Sequence, residues 1–390
     1  MNFAGPWQCM PMTTAPLSRL VAIAAGVALL SACTGGASPQ VEATSAAAVP
    51  SVSTVTALPR TDGSFTPQHG APDLSRPQTM MTGLEVPWGL AFLPDGGALV
   101  SERDKGDIIY IPARGGKPSR VYKFEESESG GEGGLLGLAI DPEYPKNGFV
   151  YAYYTAATEN KIARFKLSDP KPTVIFSGIT RGSRHNGGRL AFGPDGMLYV
   201  GTGDSSDGAQ SQDPNDVNGK ILRLTRNGKP APGNPTPGSP VWSMGHRNVQ
   251  GLAWGPDKKM YAIEFGQDTW DEVNVIEPGK NYGWPEAEGK GGNPKYADPI
   301  LQWRTDEASP SGAAISGNTL YVAALKGERL WLVPLKGGEP TSEFTGMYGR
   351  LRTVAIAPDG ALWLTTSNRD GRGDPKDGDD RILRFAVNPS

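Results

Sequence analysis

Two short stretches carry residue types that can do chemistry. Arg184-His185-Asn186-Gly187-Gly188-Arg189-Leu190 sets one of only three histidines between arginines, with two glycines beside it. Gly245-His246-Arg247-Asn248-Val249-Gln250-Gly251 brings the same types together a second time. An imidazole titrates near neutral pH and can take a proton from a bound substrate. A guanidinium binds a carboxylate through parallel N–H donors, and an asparagine side chain both donates and accepts. A lone histidine is as readily a loop brace bonded to a carbonyl, so His185 by itself leaves both readings open. The recurrence of His, Arg and Asn at comparable places weakens the bracing reading.

Other charged residues fall at similar points. Glu132 lies just before Gly133-Gly134-Leu135-Leu136-Gly137, and Lys326 follows the apolar run around Tyr321-Val322. Arg350 and Arg352 are two apart, so in an extended chain they point the same way. If these groups meet, they form a cationic mouth in a chain of net charge −3, which suits a polyanionic small ligand. The stretch Asp370 to Asp380 holds five aspartates but no defensible metal-ligand spacing, and it reads as a flexible acidic loop.

The elements that must position these residues form a repeat. Gly89-Leu90-Ala91-Phe92, Gly137-Leu138-Ala139-Ile140, Arg189-Leu190-Ala191-Phe192, Gly251-Leu252-Ala253-Trp254, Gly312-Ala313-Ala314-Ile315 and Thr353-Val354-Ala355-Ile356 each precede a turn and a second apolar run. Pro-Asp-Gly occupies several of the turns, where proline presets φ and glycine accepts positive φ. A unit of strand, turn and strand recurring at roughly forty to sixty residues has the period of propeller blades. Small residues suit inner strands crowded around a narrow axis. The prediction is an all-β, six-bladed β-propeller of four-stranded antiparallel blades. Its longest insertions, 203–218 and 274–299, are the places to look for a binding site.

Composition agrees with this. Gly 52 and Pro 35 recur between apolar runs, as turn-rich β-structure requires. No basic stripe stands out, which excludes nucleic acid as a partner. The cysteines are Cys9 and Cys33. Leu20 to Ala32 is a short apolar run ending in Leu30-Ser31-Ala32-Cys33, which resembles a bacterial lipoprotein box. Residues 1–33 are therefore expected to be a lipoprotein signal peptide with lipid on Cys33, giving a membrane-anchored, extracytoplasmic protein. Residues 34–76, rich in Ala, Ser, Thr and Pro and including His69, read as a disordered tether. Residues 77–390 are left for the propeller.

From Pro87 onward the motifs, in their order, resemble the soluble quinoprotein sugar dehydrogenases of the glucose/sorbosone dehydrogenase family, especially its periplasmic aldose type. The resemblance rests on Gly134-Leu135-Leu136-Gly137, His185-Asn186-Gly187-Gly188-Arg189-Leu190 and Gly245-His246-Arg247-Asn248 with Gln250-Gly251-Leu252-Ala253. Asp271-Glu272 with Asn281-Tyr282-Gly283-Trp284-Pro285, and Arg350-Leu351-Arg352, complete it. It implies pyrroloquinoline quinone (PQQ) and calcium as cofactors and an aldose oxidised at C1 to the lactone. In that reading His185 is the general base, Arg247 polarises the quinone, and Asn248 contacts it. Lys326, Arg350 and Arg352 neutralise its carboxylates, and Glu132 stands at a cofactor position where the family often has glutamine. Carbonyls of Gly266 and Gln267 would hold calcium against the cofactor, and Asp271, Glu272 and the Tyr282 carbonyl a second, structural calcium. Arg184 departs from the acidic residue of the glucose type, which shifts sugar selectivity. With no C-x-x-C-H haem motif in the chain, electrons would pass to an external acceptor, from a monomer or homodimer. A non-catalytic, carbohydrate-binding propeller is the alternative. A metal-dependent lactonase ranks last, because the inner-strand approaches offer His and Arg rather than converging Glu, Asn and Asp.

Overall fold

A computed structural model describes residues 70–387 except Arg114. The expected signal peptide, the lipidated Cys33 and the tether as far as residue 69 lie outside the described residues. Within them are six four-stranded antiparallel sheets, arranged as the blades of a propeller. Blade one begins with Pro87–Phe92, blade two with Leu135–Ile140, blade three with Arg189–Phe192, blade four with Val249–Trp254, blade five with Pro310–Ser316 and blade six with Leu351–Ile356. The predicted repeat and fold class are the observed ones.

The strands follow from local pattern. The second strand of blade two, Val150–Thr155, reads Val-Tyr-Ala-Tyr-Tyr-Thr and is buried throughout. A strand covered on both faces needs apolar residues at successive positions rather than alternate ones. Aromatic rings meet across the blade interfaces: Phe192 of blade three meets Tyr151 of this strand edge-on at 5.1 Å, and Phe92 of blade one meets Trp363 of blade six at 5.3 Å. The Pro-Asp-Gly turns close as expected. Gly96 takes φ 80°, and Asp95 Oδ1 accepts the Gly97 N–H at 2.8 Å.

The inner strands show why small residues line the axis. A Cβ on Gly89 would stand 2.5 Å from the Leu136 carbonyl oxygen of the next blade, and one on Gly251 equally close to that of Ser311. Hydrogen bonds cross the same seams. Thr353 Oγ1 donates to the Trp88 carbonyl at 2.6 Å, and Ser101 Oγ to that of Leu136 at 2.6 Å. Arg189 belongs to this brace rather than to the mouth. Its Nε donates to the Gln250 carbonyl at 2.6 Å, and its guanidinium lies 4.3 Å over Trp88. Burial, with Arg352 nearby, lowers its pKa to about 9.

The domain boundary needs one correction. Pro72–Met81 is the outer strand of blade six and pairs antiparallel with Ile382–Val387, so the propeller starts at Pro72 rather than at 77. An outer edge strand is largely exposed and tolerates Pro72 and Pro77, so by composition it cannot be told from a tether.

Candidate active site

Blade three presents His185 through an unusual stretch of backbone. Gly187 and Gly188 have φ of 62° and 108°, turning the chain into the strand that begins at Arg189, and His185 itself has φ 58°. Non-glycine residues hold such a conformation only where their surroundings enforce it. Three contacts do so here. The His185 N–H donates to Glu132 Oε2 at 2.8 Å, its carbonyl accepts from the Ser205 N–H at 3.2 Å, and its Nδ1 lies 2.6 Å from Asp204 Oδ1. An ionised carboxylate only accepts, so Nδ1 carries the proton and the Nε2 lone pair is left free. Nε2 makes no hydrogen bond among the described residues, and His185 borders an open cleft of about 800 Å³ together with Arg184, Ser206 and Trp284.

Asp204 is the residue that sequence reasoning missed. It stands at the head of the 203–218 insertion, is 1% exposed, and also accepts from the Ser206 N–H at 2.8 Å and the Trp284 indole at 2.8 Å. Burial pushes its carboxyl upward, but the His185 imidazole, the Ser206 amide and the Trp284 indole outweigh that and hold it below the ordinary carboxylate value. Trp284 was visible only as part of the Asn281–Pro285 motif. Nothing in the spacing revealed that a blade-four loop would support a blade-three carboxylate.

The second histidine does not reach the mouth. His246 is fully buried, with Nδ1 2.8 Å from Glu264 Oε1, Nε2 2.9 Å from Ser243 Oγ, and its ring stacked on Tyr282 at 4.8 Å. Arg247 beside it does reach the cleft. Its guanidinium lies 5.3 Å over Trp284, Nη1 donates to the Phe265 carbonyl at 3.4 Å, and its buried Nε has no partner among the described residues. Burial draws its pKa below the usual arginine value, against the pull of Asp204 and Glu132. Asn248 Oδ1 accepts the Gly187 N–H at 3.0 Å, while its buried Nδ2 likewise has no partner among the described residues.

A second recess on the axis is lined by Arg103, Glu132, Gln250, Arg352, Asp370 and Arg372, among others. Arg350 and Arg352 converge as expected, on one carboxylate. Arg350 Nη2 and Arg352 Nη2 stand 2.9 and 3.3 Å from Asp370 Oδ2, and Arg352 Nη1 donates to Gln250 Oε1 at 3.1 Å. Burial lowers the Arg352 pKa to about 10, opposed by Asp370. Lys326 is exposed, makes no ion pair among the described residues, and follows Leu325, which lines the recess. Glu132 has both oxygens engaged, Oε2 by the His185 amide and Oε1 by Arg372 Nη1 at 3.0 Å.

The acidic stretch at 370–380 is a loop held at both ends: Asp374 and Asp377 are exposed, while the Asp370 side chain, Asp379 and Asp380 are buried. Asp380 accepts from the amides of Asn368 and Val86, and Asp379 from Asn368 Nδ2. These aspartates satisfy backbone and arginine donors that would otherwise be buried unpaired.

The expected calcium ligands divide. Gly266 and Gln267 lie in a loop whose next four amides, Gln267 to Trp270, all donate to Glu288 Oε1 at 2.7–3.1 Å. The carbonyls of Gly266 and Gln267 accept no hydrogen bond among the described residues. Asp271 and Glu272 do not share a site. They are consecutive in the strand Trp270–Ile276, so their side chains leave on opposite faces. Asp271 accepts from the amides of Gly266 and Ser309, and burial raises its pKa to about 7. Glu272 accepts from Asn274 Nδ2 and the Gly289 amide, and is raised by burial and by Glu264. Asn274 also donates to Glu264, the partner of the Tyr282-stacked His246, so Glu272 and Tyr282 belong to one cluster and Asp271 to another. Among the described residues no three His, Cys, Asp or Glu side chains form a metal cluster.

The propeller sets a carboxylate-held imidazole on an open cleft, next to a recess lined by guanidiniums, and so brings together a group that can move a proton and groups that can bind an anion. Residues 84–383 match the family model described as Glucose / Sorbosone dehydrogenase, and the chain belongs to that family. The PQQ-bound aldose sugar dehydrogenase of Streptomyces coelicolor is 53% identical, over 82% of this chain and 100% of that one, with a TM-score of 0.78. A putative oxidoreductase (glucose dehydrogenase) of Thermus thermophilus is 44% identical, over 80% of this chain and 99% of that one, with a TM-score of 0.74. Aldose sugar dehydrogenase YliI of Escherichia coli is 27% identical, covering 77% of this chain and 92% of its own length.

Proposed function

We propose that this protein is a quinoprotein sugar dehydrogenase that oxidises aldoses at C1 to the lactone, with His185 as general base. The observation that carries the proposal is the His185–Asp204 pair, whose remaining imidazole nitrogen has no partner among the described residues and lies at the edge of the cleft. Asp204 fixes the tautomer that leaves Nε2 able to accept the anomeric hydroxyl proton, and stabilises the imidazolium that forms. The Trp284 indole and the Ser206 amide keep Asp204 ionised and in place. The open side of the cleft lets the proton pass from His185 to water.

The residues at the mouth suit a flat, polyanionic quinone. Asn248 Nδ2 and Arg247 Nε are buried polar donors without partners among the described residues, the condition expected of groups that a ligand satisfies. Arg247, Asn248, Lys326, Arg350 and Arg352 would hold PQQ, which when bound supplies the acceptor for the hydride leaving the anomeric carbon. Glu132 is left out of that set, since both its oxygens are engaged within the chain. The carbonyls of Gly266 and Gln267, which accept no hydrogen bond among the described residues, are oxygen ligands of the kind calcium accepts, whereas Asp271 and Glu272 leave no carboxylate oxygen open for a second, structural calcium. Leu30 to Cys33 supports a lipid-anchored, extracytoplasmic enzyme passing electrons to an external acceptor, as a monomer or homodimer.

Apoprotein reconstituted with PQQ and calcium, then given a panel of aldoses and an artificial dye, is expected to reduce the dye only with cofactor and sugar present. No cofactor-dependent reduction with any sugar overturns the proposal. Incorporation of labelled fatty acid, lost in Cys33→Ser, checks the anchor.

A further inference from the structure

The turn at 130–133 in blade two is docked on the residues that lead into His185. Glu132 donates its own N–H to the Ser183 carbonyl at 3.0 Å and receives the His185 N–H on Oε2 at 2.8 Å. Gly131, at φ 58°, lies so close to the Ser183 carbonyl that any side chain there would collide with it. The contact is therefore built from both backbone and side chain. On the other side of Glu132, Oε1 pairs at 3.0 Å with Arg372, which sits two residues from the Asp370 that holds Arg350 and Arg352. The Glu132 side chain is 15% exposed, and each of its oxygens already has a charged or backbone donor.

We infer that Glu132 is a positioning residue for the base: its carboxylate holds His185 in the left-handed conformation that presents Nε2 to the cleft, and Arg372 holds the carboxylate. The inference rests on the reading of His185 as base. A charged acceptor suits this task, because a carboxylate binds an amide N–H more strongly than a neutral oxygen does, and His185 relaxes toward ordinary φ once the bond is lost. Through Arg372 the same carboxylate ties the blade-three base to the blade-six segment that orders the two buried arginines. Glu132 then affects turnover by way of imidazole geometry.

The test uses the full-length protein with Glu132→Met, which fills the space without an acceptor, Glu132→Gln, which keeps an oxygen, and Arg372→Gln, which frees the carboxylate at an exposed site. With PQQ and calcium, Glu132→Met is expected to lower kcat about tenfold or more, with sugar KM and quinone Kd within about threefold; Glu132→Gln recovers most of the loss. Arg372→Gln is expected to lower kcat by a smaller factor. In the apoprotein, the imidazole NMR signals of His185 move in Glu132→Met and Arg372→Gln and stay in Glu132→Gln. They are simple to assign because the chain has three histidines. Unmoved His185 signals in both Glu132→Met and Arg372→Gln overturn the inference. So does a quinone Kd weakened tenfold or more with kcat and the signals intact. If Glu132→Met does not fold, Arg372→Gln alone decides. If the wild type oxidises no sugar, the proposed function fails, while the apoprotein signals still judge the positioning of His185.

Discussion

Blades three and four approach the axis with nearly the same residues and put them to opposite uses. In blade three the histidine lies four residues before its inner strand, and in blade four three residues before. His185 has one nitrogen on Asp204 and the other free at the cleft, while His246 has both nitrogens bonded and no exposure. The residue three before the blade-three strand is Asn186, which is buried like His246 and accepts hydrogen bonds from Asn160 and from the Gly182 amide. One step along the chain thus separates a structural position from a chemical one. Arg247, a step beyond His246, is the blade-four residue that returns to the cleft.

Substitutions can break this division or sharpen it. His185→Ala is expected to cost about 10³-fold in kcat, within the range for a general base, while the thermal midpoint holds. His246→Ala is expected to behave in the reverse way, losing about 2–5 kcal/mol in urea unfolding because it empties a packed site and removes one donor from the buried Glu264. Equal loss of turnover in both, at equal stability, would show that the division is wrong. Asp204→Asn keeps the shape but loses the charge that fixes the tautomer, and should lower kcat about 10²-fold with little change in KM.

Lys220 tests the loop that carries Asp204. It is fully buried, and its Nζ donates to the carbonyls of Gln210 and Asn218 at 2.7 Å each. Lys220→Met leaves both carbonyls unpaired and should cost about 1–3 kcal/mol. Burial depresses the Lys220 pKa to about 8, opposed by Asp216 and Asp213. Between that value and the ordinary lysine value of about 10.4, the unfolded chain binds more protons than the folded one. The stability difference between wild type and Lys220→Met is therefore flat below pH 8 and grows in favour of wild type across that window. A difference that stays flat throughout contradicts the depressed value. The smallest effect is expected of Trp284→Phe, which removes one neutral donor from Asp204 and should lower kcat about fivefold, in line with a bond worth about 1 kcal/mol.

The repeat was legible because each blade spells its own turn and strand, and Gly89 or Gly251 marks the crowding at the axis. That His185 and Arg247 reach one cleft and that Arg350 and Arg352 point together was legible from type and place. Their partners were not, because Asp204, Trp284 and Asp370 come from loops whose paths depend on neighbouring blades. The joining of Asp271 to Glu272 is a different kind of miss: two-residue alternation in a strand already sends consecutive side chains apart. Asp370 and Asp379 read as part of a solvated acidic loop when the arginines they pair with are out of view.

The strand Pro72–Met81 is paired with one that ends at Val387, and a side-chain hydrogen bond between Gln78 and Arg384 spans 306 positions. A chain made from its N-terminus therefore holds this strand ready while all the intervening blades are made, with no proper partner until Ile382–Val387 emerges. Contacts so distant in sequence form late, and a waiting strand with a bare edge is a hazard for pairing with other molecules. Its two prolines and the charged Asp73 and Arg76 suppress that pairing. The polar character that made the segment look like tether is what lets it wait safely.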